Sequence, residues 1–151
     1  GDRAGGLSRV APTSNGSYAL VLRLPEAQRL TVGRLGTFVF DAGLYVYVGS
    51  AFGPGGLRAR IAHHMRRATR PHWHIDYLRR VCTVEDVWYV EGKRLECVWA
   101  ERLDRSDDVV ALTGFGCSDC RCRSHLFRID ELGIEDERSS IVGNEAVNPA
   151  C

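Results

Sequence analysis

Long apolar runs are absent from this 151-residue sequence. The longest uncharged stretches cover residues 37–40 and 43–51, far fewer than the ~20 apolar residues that a membrane-spanning helix needs. The first ten residues also lack the apolar segment of a secretion signal. With 44% hydrophobic and 26% charged residues, the composition excludes a disordered or collagen-like chain. We therefore expect one globular domain in the cytoplasm.

Lysine is almost absent as well, since Lys93 is the single lysine in the chain. Residues 1–80 contain twelve arginines and four acidic residues, whereas residues 81–151 contain eight basic and fifteen acidic residues. The two parts therefore carry +8 and −7, although the whole chain carries only +1. Such a division indicates a basic face, and arginine makes forked contacts with phosphate. Genome composition is an alternative reason for the excess of arginine over lysine.

The order of predicted elements indicates a small α/β (α+β) domain, with an antiparallel sheet, an extra N-terminal hairpin and flanking helices. β-prone residues with two-residue periodicity predict an antiparallel meander, and four-residue spacing of apolar positions predicts helices. The predicted strands are 18–24, 30–32, 37–40, 44–49, 84–90 and 125–129, and the predicted helices are 57–68, 72–80 and 95–103. We expect a flexible arm at 1–15, a domain at 16–130 and an acidic, weakly structured tail at 131–151.

Chemically useful side chains concentrate where the last strand of the meander leads into the first helix. The strand ends in Tyr47-Val48-Gly49-Ser50, and a glycine-rich loop follows it. Arg60 and His64 come next, one turn apart on the same helix face. A guanidinium can hold phosphate oxygens, and a phenol or imidazole can move a proton. This combination predicts a site for phosphate chemistry.

These residues resemble the GIY-YIG nuclease superfamily. Tyr47-Val48-Gly49 is similar to the second half of its motif, and Leu57-x-x-Arg60-x-x-x-His64 is similar to its following helix. More narrowly, the segments GLYVYVGSA, GGLRARIAHH, HWHIDYLR and GFGCSDCRCRSHLF resemble the branch called domain-of-unknown-function family 123. Members of that branch are sometimes fused to endonuclease III-like proteins. The resemblance covers about residues 16–129.

The resemblance implies hydrolysis of phosphodiester bonds with one divalent cation, Mg²⁺ or Mn²⁺. It implies that Arg60 stabilises charge on the phosphate, and that Tyr18 or Tyr47 activates water, with His64 as the intermediate group. The first-motif tyrosine is then Tyr18, with Tyr45 as the alternative. A downstream helix should supply the metal ligand, for which Glu96 fits best, ahead of Glu101 and Glu91.

Substrate binding is expected from polar groups around this site. The candidates are Gly49, Ser50, Arg58, Arg67, His72 and His74. They belong to a wider predicted basic patch that also includes Arg66, Arg70, Arg79 and Arg80. Such a patch matches a nucleic-acid backbone, although a solvated helix face would look similar. His74 and Asp76 form a further candidate pair, in which the carboxylate would orient the imidazole.

Four possible metal ligands lie within nine residues of the chain: Cys117, Cys120, Cys122 and His125. Three sulfurs and one nitrogen form a set that structural Zn²⁺ prefers. Free structural thiols and a disulfide are the two alternatives for these cysteines, and reduced thiols suit a cytoplasmic protein.

The sequence therefore predicts a metal-dependent endonuclease, with DNA favoured over RNA as its substrate and DNA repair or processing as a possible setting. A nucleic-acid-binding module without catalysis is the alternative, and it would use the same arginine-rich helix. So short a domain is also expected to need a partner or a fused domain for targeting.

Overall fold

The computed structural model describes residues 11–66, 70–117 and 120–142. The strands are β1 (Gly16–Leu24), β2 (Gln28–Val32), β3 (Gly36–Phe40), β4 (Gly43–Ala51), β5 (Thr83–Glu91), β6 (Val109–Ala111) and β7 (Leu126–Ile129). The helices are α1 (Gly56–Met65), α2 (His74–Arg79), α3 (Glu96–Asp104) and α4 (Ile134–Val142), the last preceded by a 3-10 turn. The predicted fold class is confirmed. Among the described residues, no helix has the length and apolar character to cross a membrane.

The main sheet has five strands in the order β5-β1-β4-β7-β6, and each neighbouring pair is antiparallel. The predicted meander is wrong in its pairing, because β1 pairs with β4 along its whole length, while β2 and β3 form a separate hairpin. The physical reason is burial. β1 and β4 are buried on both faces and occupy the sheet centre, whereas β2 and β3 alternate between exposed and covered residues.

Two hydrophobic cores lie on opposite faces of the sheet. Leu20 and Leu22 of β1 face one core, which also contains residues of α1, α2 and the hairpin. Ala19 and Val21 face the other core, where side chains of α3 and α4 cover the sheet. Full burial of one leucine contributes about 1.5–3 kcal/mol. Because both faces are covered, the apolar run of β1 does not alternate with polar residues.

The helix α4 and the strand β6 were not among the predicted elements. We expected a weakly structured tail from residue 131, but residues 134–142 of that segment form a helix. Ile141 on this helix is fully buried in the second core, and Glu137 accepts a hydrogen bond from Ser106. The acidic residues of the helix obscured its apolar positions, and three residues of β6 are too few to show a period.

The candidate site lies at one end of the sheet. Since β1 and β4 are antiparallel, the start of β1 lies beside the end of β4, with Gly16 opposite Ala51 and Tyr18 opposite Gly49. Gly16 also pairs with Glu91, where β5 ends just before α3. The starts of α1 and α3 therefore meet at the same end of β1.

We predict that Ile141→Ala lowers the free energy of unfolding by about 2–4 kcal/mol, because it leaves a cavity between α4 and the sheet. Leu132→Ala is the matched control, since Leu132 is 94% exposed and its truncation should change stability by no more than about 0.5 kcal/mol. Urea unfolding measures both. Equal stability of the two variants would contradict the packing of α4.

Candidate active site

Tyr18 and His64 form the buried centre of the site. The hydroxyl of Tyr18 lies 2.7 Å from Nε2 of His64, and each side chain is only 1% exposed. Tyr45 lies elsewhere, where its hydroxyl donates to the carbonyl of Asp41. The structure therefore places Tyr18, and not Tyr45, beside the motif helix.

Gly49 allows this arrangement because the ring of Tyr18 lies directly over its backbone. A Cβ atom at Gly49 would come within 2.5 Å of the Tyr18 hydroxyl oxygen, a distance that real contacts do not tolerate. The glycine of Tyr47-Val48-Gly49 is thus required by close packing across the β1–β4 pair, and it contributes no functional group of its own.

Tyr47 and Arg60 extend the site toward the surface. The ring of Tyr47 meets the ring of His64 edge-on, with 6.0 Å between the ring centres. Arg60 donates from Nη1 to the carbonyl of Ser50 at 2.8 Å, and its guanidinium carbon lies 4.4 Å from the ring centre of Trp73. These two contacts fix the position of a guanidinium that is partly exposed to solvent.

Glu96 reaches the same site from the first turn of α3. Its Oε1 accepts a hydrogen bond from the hydroxyl of Ser50 at 2.7 Å, and its Oε2 lies 2.7 Å from Nδ1 of His125. Ser50 therefore contacts both Glu96, through its side chain, and Arg60, through its carbonyl. The Glu96 side chain is still 22% exposed, so the carboxylate remains accessible to a ligand.

Burial largely controls proton affinity at this site. It lowers the pKa of His64 from 6.5 to about 3, and the neighbouring charge on His63 acts in the same direction. Burial raises the pKa of Tyr18, which Arg60 offsets only in part, and it also raises the pKa of Tyr47. At neutral pH both phenols are therefore protonated and His64 is uncharged, so Tyr18 can donate its proton to His64 Nε2.

The carboxylate of Glu96 is different because its partners outweigh its burial. Burial acts to raise its pKa, but the contact with His125, the hydrogen bond from Ser50 and the charge of Arg94 lower it overall. Glu96 is thus an anion at neutral pH, which is the state that a metal ligand requires.

Two arginines of the expected basic patch make structural contacts. Arg79 is buried and donates to the carbonyls of His64, Met65 and Cys82, so it closes the end of α1 and does not belong to a basic surface. Arg58 is exposed, but its Nε donates to the carbonyl of Ala11. Arg67, which we expected to bind substrate, lies outside the described residues.

The histidines around α2 also differ from expectation. Asp76 pairs with His63 at 3.1 Å, not with His74, and its Oδ2 accepts from the backbone of His72 and Trp73 at the start of α2. Burial acts to raise the pKa of Asp76, but these hydrogen bonds lower it overall. His74 accepts at Nδ1 from the backbone of Gly116, and His72 packs its exposed ring against Trp73.

Two groups of side chains among the described residues could hold a metal ion. In each group the possible ligand atoms lie within 4.8 Å of one another. The first group is Cys97, Cys120, Cys122 and His125, and the second is His63, His64 and Asp76. Cys117, which the sequence had suggested as a ligand, is not in the first group, and Cys97 from α3 is there in its place.

Cys117, Cys120 and Cys122, which precede β7, carry free thiols in this structure, whereas Cys97 takes part in a disulfide. Cys117 and Cys122 stay protonated without a metal, because burial and the neighbouring Cys120 raise the pKa of each to about 12. The residues Ser118 and Asp119, which belong to the resembling segment, lie outside the described residues.

Two further residues of the site were missed from the sequence. Ser17 is fully buried, donates to the carbonyl of Lys93 and accepts from the backbone of Leu95, so it fixes the start of α3 and thereby Glu96. Arg94 lies over the ring of Phe52 at 4.0 Å and lowers the pKa of Glu96. A serine inside an otherwise apolar strand was the only signal for the first, and nothing in the sequence marked the second.

We predict that Gly49→Ala destabilises the fold by about 1–3 kcal/mol, because the new methyl group collides with the buried ring of Tyr18. Gly53→Ala is the matched control, since its Cβ would have no neighbour within 4 Å. Thermal or urea unfolding distinguishes them. Similar stability of both variants would show that Tyr18 does not occupy this position.

We also predict a loss of stability in acid that depends on His64. Its pKa is lower in the folded protein than in the unfolded chain, so the unfolded chain binds the proton first as the pH falls below about 6.5. Between pH 7 and pH 5 this should cost about 2 kcal/mol.

The measurement is urea unfolding of the wild type and His64→Gln in EDTA at several pH values. The variant keeps a hydrogen-bonding side chain but has no proton to gain, so its stability should fall less over this range. Parallel pH profiles would refute the burial of an uncharged His64.

Comparison with known proteins agrees with the narrower resemblance. The profile of the family described as "Domain of unknown function DUF123" matches residues 17–146, which is most of the chain and extends beyond the segment expected from its motifs into α4. Neither the curated proteins nor the solved structures contain a match to this chain. From the extent of the family match, the chain belongs to the DUF123 family.

Proposed function

We propose that this protein is a metal-dependent endonuclease of the GIY-YIG type, acting on DNA more readily than on RNA. The observation that carries the proposal is the convergence of five side chains at one end of the sheet. These are Tyr18, Tyr47, Arg60, His64 and Glu96, the residues that the resemblance implies. They come from β1, β4, α1 and α3, so only the folded chain brings them together.

Arg60 is the group best placed to bind the scissile phosphate. Its guanidinium is held between the carbonyl of Ser50 and the ring of Trp73, so the side chain loses little conformational freedom when a phosphate binds. A fixed positive group stabilises charge that develops on the phosphate oxygens during hydrolysis. Arg60 and Trp73 both line an open groove together with Gly53 and His63, so a phosphate can reach the guanidinium from solvent.

Glu96 fits the role of ligand for Mg²⁺ or Mn²⁺. Its two oxygens accept one contact each, from Ser50 and His125, and a carboxylate has about four lone-pair sites in all. One protein carboxylate, completed by water and substrate oxygens, is a common arrangement for Mg²⁺. When bound, the ion polarises the scissile phosphate and stabilises the leaving oxygen. The other candidate metal site, formed by Cys97, Cys120, Cys122 and His125, has sulfur donors that suit Zn²⁺ instead.

Tyr18 and His64 are proposed to move the proton of the attacking water. Neither phenol is ionised at neutral pH, so Tyr18 can accept a proton only as it passes its own to His64 Nε2. An anionic phosphate beside Arg60 would favour this transfer, because nearby negative charge raises the proton affinity of an imidazole. Tyr47, which packs against His64, is the alternative acceptor.

A binding module without catalysis is the second candidate function. Its support is a set of exposed arginines on α1, in the segment that follows it and at the end of α2: Arg58, Arg66, Arg70 and Arg80. Such a surface would bind a phosphate backbone with strong salt dependence. In either case a partner or a fused domain would direct the protein to its substrate.

We predict that the wild type cleaves labelled DNA in Mg²⁺ or Mn²⁺, and that Glu96→Gln lowers the rate by about 100-fold or more. Glu101→Gln is the matched control, because Glu101 is a 53% exposed residue of the same helix whose carboxylate pairs with Arg105. It should cleave within about twofold of the wild type, since surface substitutions away from a site change little.

Single-stranded, duplex and branched DNA are compared with RNA, each with metal or with EDTA. Cleavage that persists equally in Glu96→Gln would exclude Glu96 as the metal ligand. Absence of cleavage, together with salt-sensitive binding by both variants, would favour the binding module.

A further inference from the structure

We propose that Cys97, Cys120, Cys122 and His125 bind one Zn²⁺ ion, and that this ion positions Glu96 through the ring of His125. The second half of this inference rests on the proposed function of Glu96, whereas the zinc site stands independently of it. The proposal joins two parts of the chain that no single motif contains, the loop before β7 and the helix α3.

The donor set and its spacing fit zinc. All four possible ligand atoms lie within 4.8 Å of one another, and Sγ of Cys120 lies 3.4 Å from Nε2 of His125. In a tetrahedral site with the usual Zn–S and Zn–N bond lengths, sulfur and nitrogen ligands are about 3.6 Å apart and two sulfurs about 3.8 Å. Cys97 is 7% exposed and His125 is 2% exposed, whereas Cys120 and Cys122 are partly exposed, so the site is buried on its α3 side and accessible on its loop side.

The orientation of His125 provides a second observation. Nδ1 faces the anionic oxygen of Glu96 at 2.7 Å, and so must carry the proton at that distance. Nε2 faces Cys120 in the sulfur cluster, and in the neutral ring with its proton on Nδ1 it is the nitrogen whose lone pair can bind a metal. Nδ1 has no well-directed hydrogen bond among the described residues, despite its short distance to Glu96. A metal on Nε2 would fix this tautomer and ring position.

The loop itself benefits from a metal. It joins β6 to β7 over residues 112–125, a long connection for a compact domain, and its described residues, 112–117 and 120–125, form no helix or strand. Backbone hydrogen bonds hold its base, from Gly114 to Arg123 and from His125 to Phe115. Cys120 and Cys122 lie between these residues, where Arg123 already pairs with Asp104 of α3 at 3.2 Å. A metal held by Cys97, Cys120 and Cys122 would add a second connection between the loop and α3.

An open groove gives an ion access to the cluster. It is lined by Cys97, Cys122, Glu101, Asp104 and the arginines at 121 and 123. Cys97 takes part in a disulfide in this structure, and a disulfide sulfur is not a thiolate ligand. Metal binding therefore requires that a reductant, such as a phosphine or a small thiol, first supplies two electrons and two protons to cleave this disulfide. The thiols of Cys97, Cys120 and Cys122 then release their protons to the solvent as they bind zinc.

The zinc site is tested by metal analysis of the full chain purified in a phosphine reductant. We expect about one zinc per chain, which Cys120→Ser and Cys122→Ser lose and Cys117→Ser, the matched control, retains. Replacement of zinc by Co²⁺ in the wild type should give the absorption bands of tetrahedral thiolate coordination, a test that needs no variant. Absence of these bands, or equal zinc loss in Cys117→Ser, would overturn the site.

The link to Glu96 is tested with His125→Cys, which keeps four ligands but removes the N–H that faces the carboxylate. In zinc-loaded samples, Mn²⁺ binding followed by electron paramagnetic resonance should weaken about 10-fold to 100-fold in this variant relative to the wild type. Unchanged Mn²⁺ affinity in a variant that retains zinc would overturn the link. If the wild type binds zinc but no Mn²⁺, the proposed role of Glu96 fails and the zinc site stands.

Discussion

The pairing of β1 with β4 is the constraint on which the rest of the site depends. It places Tyr18 over Gly49, which leaves the hydroxyl of Tyr18 within reach of His64 on α1. The same pairing puts Ser17 beside the start of α3 and Ser50 beside Glu96. Two serines and one glycine, none of them a reactive group, thus determine where the ionisable side chains lie.

Local patterns in the sequence were sufficient for most of the elements and for the motif residues. Periodicity identified β1, β4 and α1, and the spacing of Arg60 and His64 placed them on one helix face. The strand pairing could not be predicted in the same way, because antiparallel neighbours in sequence pair more often than strands separated by a hairpin. The pairing of β1 with β4 follows from burial of both strands on both faces. That burial depends on helices that come later in the chain than β1.

The metal-ligating cluster shows the same limit in another form. Cys120, Cys122 and His125 are close in sequence and could be found as a group, but Cys97 lies on a helix that reads as an ordinary buried face. The prediction of Cys117 as the fourth member followed from proximity along the chain. Only the packing of α3 against the loop before β7 identifies Cys97 as the nearer side chain.

The central position of β1 also affects how the chain can fold. β1 is made first, yet its two neighbours are β4 and β5, and Tyr18 pairs with Tyr89 about seventy residues later. Contacts so distant in sequence slow folding, because much chain entropy is lost before they form. During synthesis the apolar β1 must therefore wait for β5 to leave the ribosome. A domain fused before residue 16 would share that interval with a strand that has one edge still unpaired after β4 has joined it.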